Sequence, residues 1–129
     1  MTDIVASIIV WLRTQLDPPK RVGAKVPDDV PRGQFVLLRR LGGNWERPVV
    51  DAATVGIEAW GATQAQAHDL CQEARALVHS LQGTVLAGVA VYRVEEFAGP
   101  AWLPDPESAE PRFTVTLNVS HREHLEVPA

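Results

Sequence analysis

Residues 56–83, GIEAWGATQAQAHDLCQEARALVHSLQG, decide the fold, because they hold the end of a strand, a glycine and a complete helix. The strand begins at about residue 49, and its apolar residues alternate with polar or small ones, as in a half-buried strand. Gly61 ends this alternation. Thr63 then predicts a helix N-cap, and Gln66 completes a capping box of the S/T-x-x-E/Q type. The sequence therefore predicts a strand that is followed directly by a capped helix.

The helix after Thr63 is amphipathic, which predicts that it packs on the sheet through one face. Its apolar side chains fall within roughly 120° of arc, and they are Ala67, Leu70, Cys71, Ala74, Leu77, Val78 and Leu81. The opposite face carries polar side chains, which are His68, Gln72, Arg75, His79 and Gln82. Gly83 follows at the position where a helix terminator is expected.

A second amphipathic helix is predicted over residues 3–16. Thr2 or Asp3 can cap its first turn, and the proline pair at 18–19 ends it, because proline lacks the amide hydrogen and clashes with the preceding turn. Its apolar stripe consists of Ile4, Val5, Ile8, Ile9, Leu12 and Leu16. Trp11 lies at the edge of this stripe.

The remaining segments predict strands that are separated by long loops. The predicted strands are a short one at 21–26, a hairpin of 35–41 and about 49–60 with a loop at 42–48, and a second hairpin of about 89–97 and 112–121. The predicted long loops are 17–34 and 98–111, and the tail at about 122–129 is predicted to be mobile. Strands in adjacent pairs favour antiparallel pairing. We therefore predict one α+β domain over residues 1–129, with a mostly antiparallel sheet of four to five strands and two helices packed on one face.

Composition limits the classes of function. The chain has 129 residues and a net charge of −4, which argues against nucleic-acid binding as the main function, because such binding needs a basic face. Cys71 is the only cysteine, so no intrachain disulfide can form, which suits a reducing compartment. The N-terminal apolar run is short and has no basic segment before it, so we expect neither a signal peptide nor a membrane span. We predict that the chain is located in the cytoplasm of the cell that produces it.

Few residues form a pattern that predicts catalysis or metal binding. His121 and His124 form an H-x-x-H motif, but a metal site needs at least one further ligand, no cysteine is near in sequence, and the segment is terminal. Cys71 borders the apolar stripe of its helix, which favours a core cysteine over a nucleophile. The glycine pair at 42–43 has no following helix or lysine-serine pair, so it is not a phosphate-binding loop. We therefore expect no catalytic residue, no cofactor and no metal ligand.

Tryptophan is the residue type that favours a role in assembly. Trp45 and Trp102 fall in predicted loops, where a large apolar side chain costs free energy of solvation unless something covers it. Trp11 is at the edge of a helical stripe. Because tryptophan is enriched at interface hot spots, we expect these three residues to form interfaces. The alternative is that the loops fold back and place their tryptophans in the core of the same chain.

The order of the predicted elements and several local sequence segments resemble the tail terminator, or tail-completion, family of long-tailed bacteriophages. The resemblance covers residues 3–82 well and the final hairpin more loosely. The parts that carry it are the amphipathic N-terminal helix, RVGAKVP at 21–27, FVLLRRLGG at 35–43, and RPVVDAATVGIEAWGATQAQAHDLCQEARALVHSL at 47–81. The run from Asp51 through Trp60 and Gly61 into the alanine-rich helix is the most specific part.

The resemblance implies a structural virion protein with no catalytic residues and no cofactor. Such a protein forms a ring, usually a hexamer, that caps the head-proximal end of the tail tube and ends tube polymerisation. Its partners would be further copies of itself, the major tail tube protein and a neck or head-completion protein, with no membrane involved. Genomic DNA would pass through the lumen without specific binding. The expected location is the tail–neck junction of the virion, after assembly in the host bacterial cytoplasm.

Three other functions stay open at this point. The first is a neck or head-completion protein of the same virion. The second is a small enzyme, for example a hydrolase that uses Cys71 or the histidines. The third is a ligand-binding domain of α+β type.

Overall fold

The structure is a computed structural model that describes residues 3–28, 33–47 and 50–123, without the side chains of 44–47 and 123. Over these residues the chain forms an α+β fold with two helices and six strands. The elements are α1 (Ile4–Gln15), β1 (Arg21–Gly23), β2 (Phe35–Arg47), β3 (Val50–Trp60), α2 (Gln64–His79), β4 (Thr84–Leu86), β5 (Val89–Trp102) and β6 (Arg112–Glu123). Neither described helix has the length and apolarity that a membrane crossing requires.

The six strands form one mixed sheet in the order β1-β2-β3-β6-β5-β4. Only the pairing of β1 with β2 is parallel, and the other described pairs are antiparallel. The prediction of a mostly antiparallel sheet is therefore confirmed, but the predicted number of four to five strands is too low. The sequence did not reveal β4, because its three residues directly follow the turn after α2 and are too few to show alternation.

Helix α1 has the N-cap and the buried stripe that the sequence predicts. The Asp3 carboxylate accepts hydrogen bonds from the backbone N–H groups of Val5 (3.0 Å) and Ala6 (3.2 Å), which satisfies two of the free amides of the first turn. The extended residue Leu16 is the C-cap. The buried apolar side chains are Ile4, Val5, Ile8, Ile9, Leu12 and Leu16.

Helix α2 begins as predicted and ends earlier. The Gln66 backbone N–H donates to the Thr63 hydroxyl (3.1 Å), and the Gln66 side-chain carbonyl accepts from the Ala62 N–H (2.9 Å). The helix stops at His79, and a turn leads to Gly83, whose φ of +81° favours glycine. The predicted stripe is buried except for Leu77, which is only partly buried at the edge of the core.

The connection between β3 and α2 depends on the absence of a side chain at Gly61. A Cβ atom at this position would lie 2.5 Å from the Ala67 backbone nitrogen and 2.8 Å from the Gln66 Cβ. Because non-bonded carbon atoms do not approach this closely, any other residue would push the first turn of the helix away from the strand. Gly61 therefore lets α2 pack immediately against the strand that precedes it.

The two faces of the sheet are covered differently. The face toward the helices is apolar along its central strands, where the buried residues are Val36, Leu38, Ala53, Val55, Ile57, Ala59, Val115, Leu117 and Val119. On the other face, Phe35, Leu37 and Trp60 form a separate small cluster. The second half of β3 is thus buried on both sides.

The predicted loop at 42–48 is wrong for residues 42–47, which continue β2 as a strand. The pairing with β3 shifts register between Arg40 and Gly42, so the strand carries an irregularity there. A Cβ on Gly43 would lie 2.0 Å from the Ala52 carbonyl oxygen. The glycine pair therefore serves a close approach between two strands, where the sequence suggested a turn. The hairpin connection at 48–49 lies outside the described residues.

The second hairpin is also longer than predicted. Strand β5 continues past residue 97 to Trp102, and the connecting segment is 103–111. Along its whole length the strand has three register shifts against β6. Pro100 is accommodated because β4 pairs with β5 only over Val89–Val91, which leaves the rest of β5 as an edge strand. Strand β6 extends to Glu123, and the remainder of the predicted tail lies outside the described residues.

Side chains from the helical segments cap backbone groups at both ends of the sheet. The Arg13 guanidinium donates to the Val22 carbonyl oxygen of β1 (3.0 Å). The Gln82 side chain, just after α2, accepts from the Val94 backbone N–H of β5 (3.0 Å). Because unpaired edge groups are a template for a further strand, these contacts reduce the ability of both edges to add one.

We expect Leu70→Ala to lower the free energy of unfolding by about 2–5 kcal/mol, since it removes a nearly fully buried side chain from the α2 stripe and leaves a cavity. Urea denaturation followed by circular dichroism measures this change. Leu103→Ala is the matched control, because Leu103 is 51% exposed and its truncation should change stability by no more than about 0.5 kcal/mol. Equal midpoints for the two variants would contradict the packing described here.

Candidate functional site

The structure places the three predicted interface tryptophans in separate locations. Trp11 lies on α1, partly buried at the edge of the core. Trp102 is the last residue of β5 and not a loop residue as predicted. Trp45 is likewise in a strand, opposite Asp51 in the β2–β3 pairing, and its side chain is not among those that the structure describes. The surfaces around Trp11 and Trp102 can therefore be described, and they lie near opposite ends of β5.

The first surface is an apolar groove between α1 and the β4–β5 turn, which we call the helix groove. It has a volume of about 400 Å³ and is lined by Ala6, Ser7, Val10, Trp11, Thr14, Leu86 and Ala87. Val10 is 61% exposed, although it is a large apolar side chain on a helix. Exposed apolar side chains grouped in a concave surface are typical of interaction sites.

The turn that forms one wall of the helix groove has an unusual residue. Ala87 and Gly88 both have positive φ, +48° and +78°, as a type I′ hairpin turn requires. Asn or Gly is the common choice at the first of these positions, because an L-residue with a Cβ pays roughly 1–2 kcal/mol for a left-handed conformation. Ala87 is instead one of the residues that line the groove.

The second exposed apolar feature is the end of β5, which we call the hairpin tip, where Trp102 and Leu103 lie on opposite faces of the sheet. Trp102 is 43% exposed and Leu103 is 51% exposed. The Trp102 ring also packs against Phe113, with ring centroids 5.3 Å apart. The Leu103 N–H donates to the Arg112 carbonyl oxygen (3.0 Å), and the Arg112 guanidinium donates to the Leu103 carbonyl oxygen (2.9 Å). The tip is thus held in place from both sides of its backbone while much of its apolar surface faces solvent.

The segment after the tip is fixed to the sheet by a polar contact that sequence reasoning missed. The Trp60 indole N–H donates to the Asp105 carboxylate (3.0 Å), and both residues are buried. Arg112 lies over the Trp60 ring at 5.6 Å and pairs with Glu58 at 3.0 Å. These residues line a polar cavity of about 320 Å³ on the face opposite the helices. Their charges pair within the chain, so this cluster stabilises the 103–111 segment.

A second polar cluster lies on the helix face, at the far end of β3, where Asp51 and His121 are buried and Arg40 is exposed. Arg40 donates two hydrogen bonds to Asp51, at 2.8 and 2.9 Å, and the His121 ring nitrogen Nε2 is 3.6 Å from the same carboxylate. These hydrogen bonds from Arg40 lower the pKa of Asp51, and the positive charge of Arg40 adds to the effect. Arg40 binds both oxygens of the Asp51 carboxylate and so joins β2 to β3. His121 brings β6 to the same carboxylate, so the cluster connects the three strands structurally.

The candidate nucleophile Cys71 and the described histidines His68 and His121 occupy structural or surface positions. Cys71 is fully buried, and this burial raises the pKa of its thiol to about 11. His121 is buried beside Val119, whose carbonyl oxygen is 3.2 Å from the ring, and His124 lies outside the described residues. His68 packs edge-on against Phe113. Among residues 3–28, 33–47 and 50–123, no three His, Cys, Asp or Glu side chains are grouped so that they could hold a metal ion.

No protein-family model matches the chain, and no curated protein matches it either. The assignment of function therefore depends on the geometry of the surfaces described above and on the sequence resemblance. The helix groove and the hairpin tip are the features that this geometry singles out. Leu86 and Ala87 were not predicted as site residues, because no local pattern relates them to α1.

We expect Asp51→Asn to lower the free energy of unfolding at pH 7 by about 1.5–3 kcal/mol, because it removes the charge that accepts two hydrogen bonds from Arg40. The folded state lowers the pKa of Asp51, so its contribution to stability is complete above the ordinary carboxylate pKa of about 4. It is lost as the pH falls through that value and the lower pKa of the folded state.

The measurement is urea denaturation at pH 7 and pH 3. The wild-type chain should lose more stability between these two values than Asp51→Asn, whose amide does not titrate. Glu107→Gln is the control, because Glu107 is exposed, and it should keep the wild-type dependence. Parallel pH profiles for wild type and Asp51→Asn would show that the contact with Arg40 does not stabilise the folded state.

We expect the folded chain to resist thiol reagents at pH 7.5. Burial keeps Cys71 protonated and inaccessible, so modification should be roughly 100-fold slower, or more, than in urea, because the thiolate is the reactive form. Val85→Cys in a Cys71→Ala background is the control, since Val85 is 57% exposed and its thiol should react quickly in the folded state. Fast modification of Cys71 in the folded wild-type chain would instead support a role for this residue as a nucleophile.

Proposed function

We propose that the chain is a tail terminator protein, a structural virion subunit that forms a ring on the head-proximal end of a phage tail tube. The observation that carries this proposal is the pair of exposed apolar surfaces, the helix groove and the hairpin tip, at opposite ends of β5. A ring subunit needs two different surfaces for its neighbours, because a head-to-tail interface joins unlike patches.

The resemblance to the tail terminator family supports the same conclusion from the sequence side. The residues that carry it, 3–82, contain α1, β1, β2, β3 and α2. These elements supply most of the hydrophobic core between the helices and the sheet. The resemblance therefore concerns the scaffold on which the two surfaces lie. In this proposal the function resides in surfaces, and no catalytic residue or cofactor takes part.

The proposed partners follow from the position of the ring. Six copies would form it, one end face would contact the major tail tube protein, and the other would contact a neck or head-completion protein. Genomic DNA would pass through the lumen, for which a chain with a net charge of −4 is suited, since a strongly basic lumen would bind the phosphate backbone. The ring would sit at the tail–neck junction of the virion after assembly in the bacterial cytoplasm.

The experiment that tests this function is tube polymerisation in the presence of the purified chain. Electron microscopy should show a ring on one end of each tube, and tubes should stop growing once it has bound. The Cys71→Ala variant should act like the wild-type chain, which separates the structural function from an enzyme that uses the thiol. Tubes without added chain give the length distribution of unrestricted growth.

Two other outcomes decide between the alternatives. A ring that binds completed tails or heads while tube growth continues would assign the chain to the neck or head-completion class. Tubes that grow as in the control and carry no ring, together with no ring on completed tails or heads, would contradict both virion functions.

A further inference from the structure

We draw no further inference here: the strongest candidate, the helix groove between α1 and the β4–β5 turn, is an exposed apolar surface, and nothing in the structure shows what covers it.

Discussion

The apolar stripe of α2, packed on the faces of β3 and β6, is the constraint on which the other contacts depend. These two strands are the centre of the sheet, and the helix covers them with side chains such as Leu70, Ala74 and Val78. Gly61 fixes where this packing begins, because the first turn of α2 touches its backbone. Helix α1 then completes the same core from the side of β1 and β2. Removal of the stripe would leave both helices and the central strands without a common interior.

The opposite face of the sheet shows how the scaffold fixes a surface. Trp60 ends the strand that leads into α2, and its indole N–H holds Asp105 in the segment after β5. Arg112 and Glu58 lie beside this contact and pair with each other. The position of the exposed hairpin tip therefore depends on residues that are themselves buried. A surface supported in this way keeps its shape before a partner arrives.

The sequence predicted the parts of the fold that follow from local chemistry. Thr63, Gln66 and the stripe of α2 form as expected, because caps and helical periodicity need only neighbouring residues. The ends of the long strands were not predictable in the same way. Glycines 42–43 and Pro100 usually interrupt strands, and here they are accommodated by a close strand approach and by an edge position. Both depend on how a strand pairs with its neighbour, which the local sequence does not show.

The same distinction applies to the candidate surfaces. Trp11 was identifiable at the edge of a helical stripe, and Trp102 as a large apolar residue in a predicted loop. The groove also needs Leu86 and Ala87 from a turn more than seventy residues later in the sequence than α1. The contact between Trp60 and Asp105 is long-range as well. No spacing in the sequence predicts either contact, because both contacts form only when the sheet has formed.

The left-handed conformation of Ala87 has a consequence for engineering the protein. Selection for thermal stability alone would favour Asn or Gly at this position, since either removes a backbone cost. Such a change would also alter a residue that lines the helix groove. A consensus or stability-guided redesign would therefore tend to erode this surface first, and Ala87 is a position that such a redesign should hold fixed.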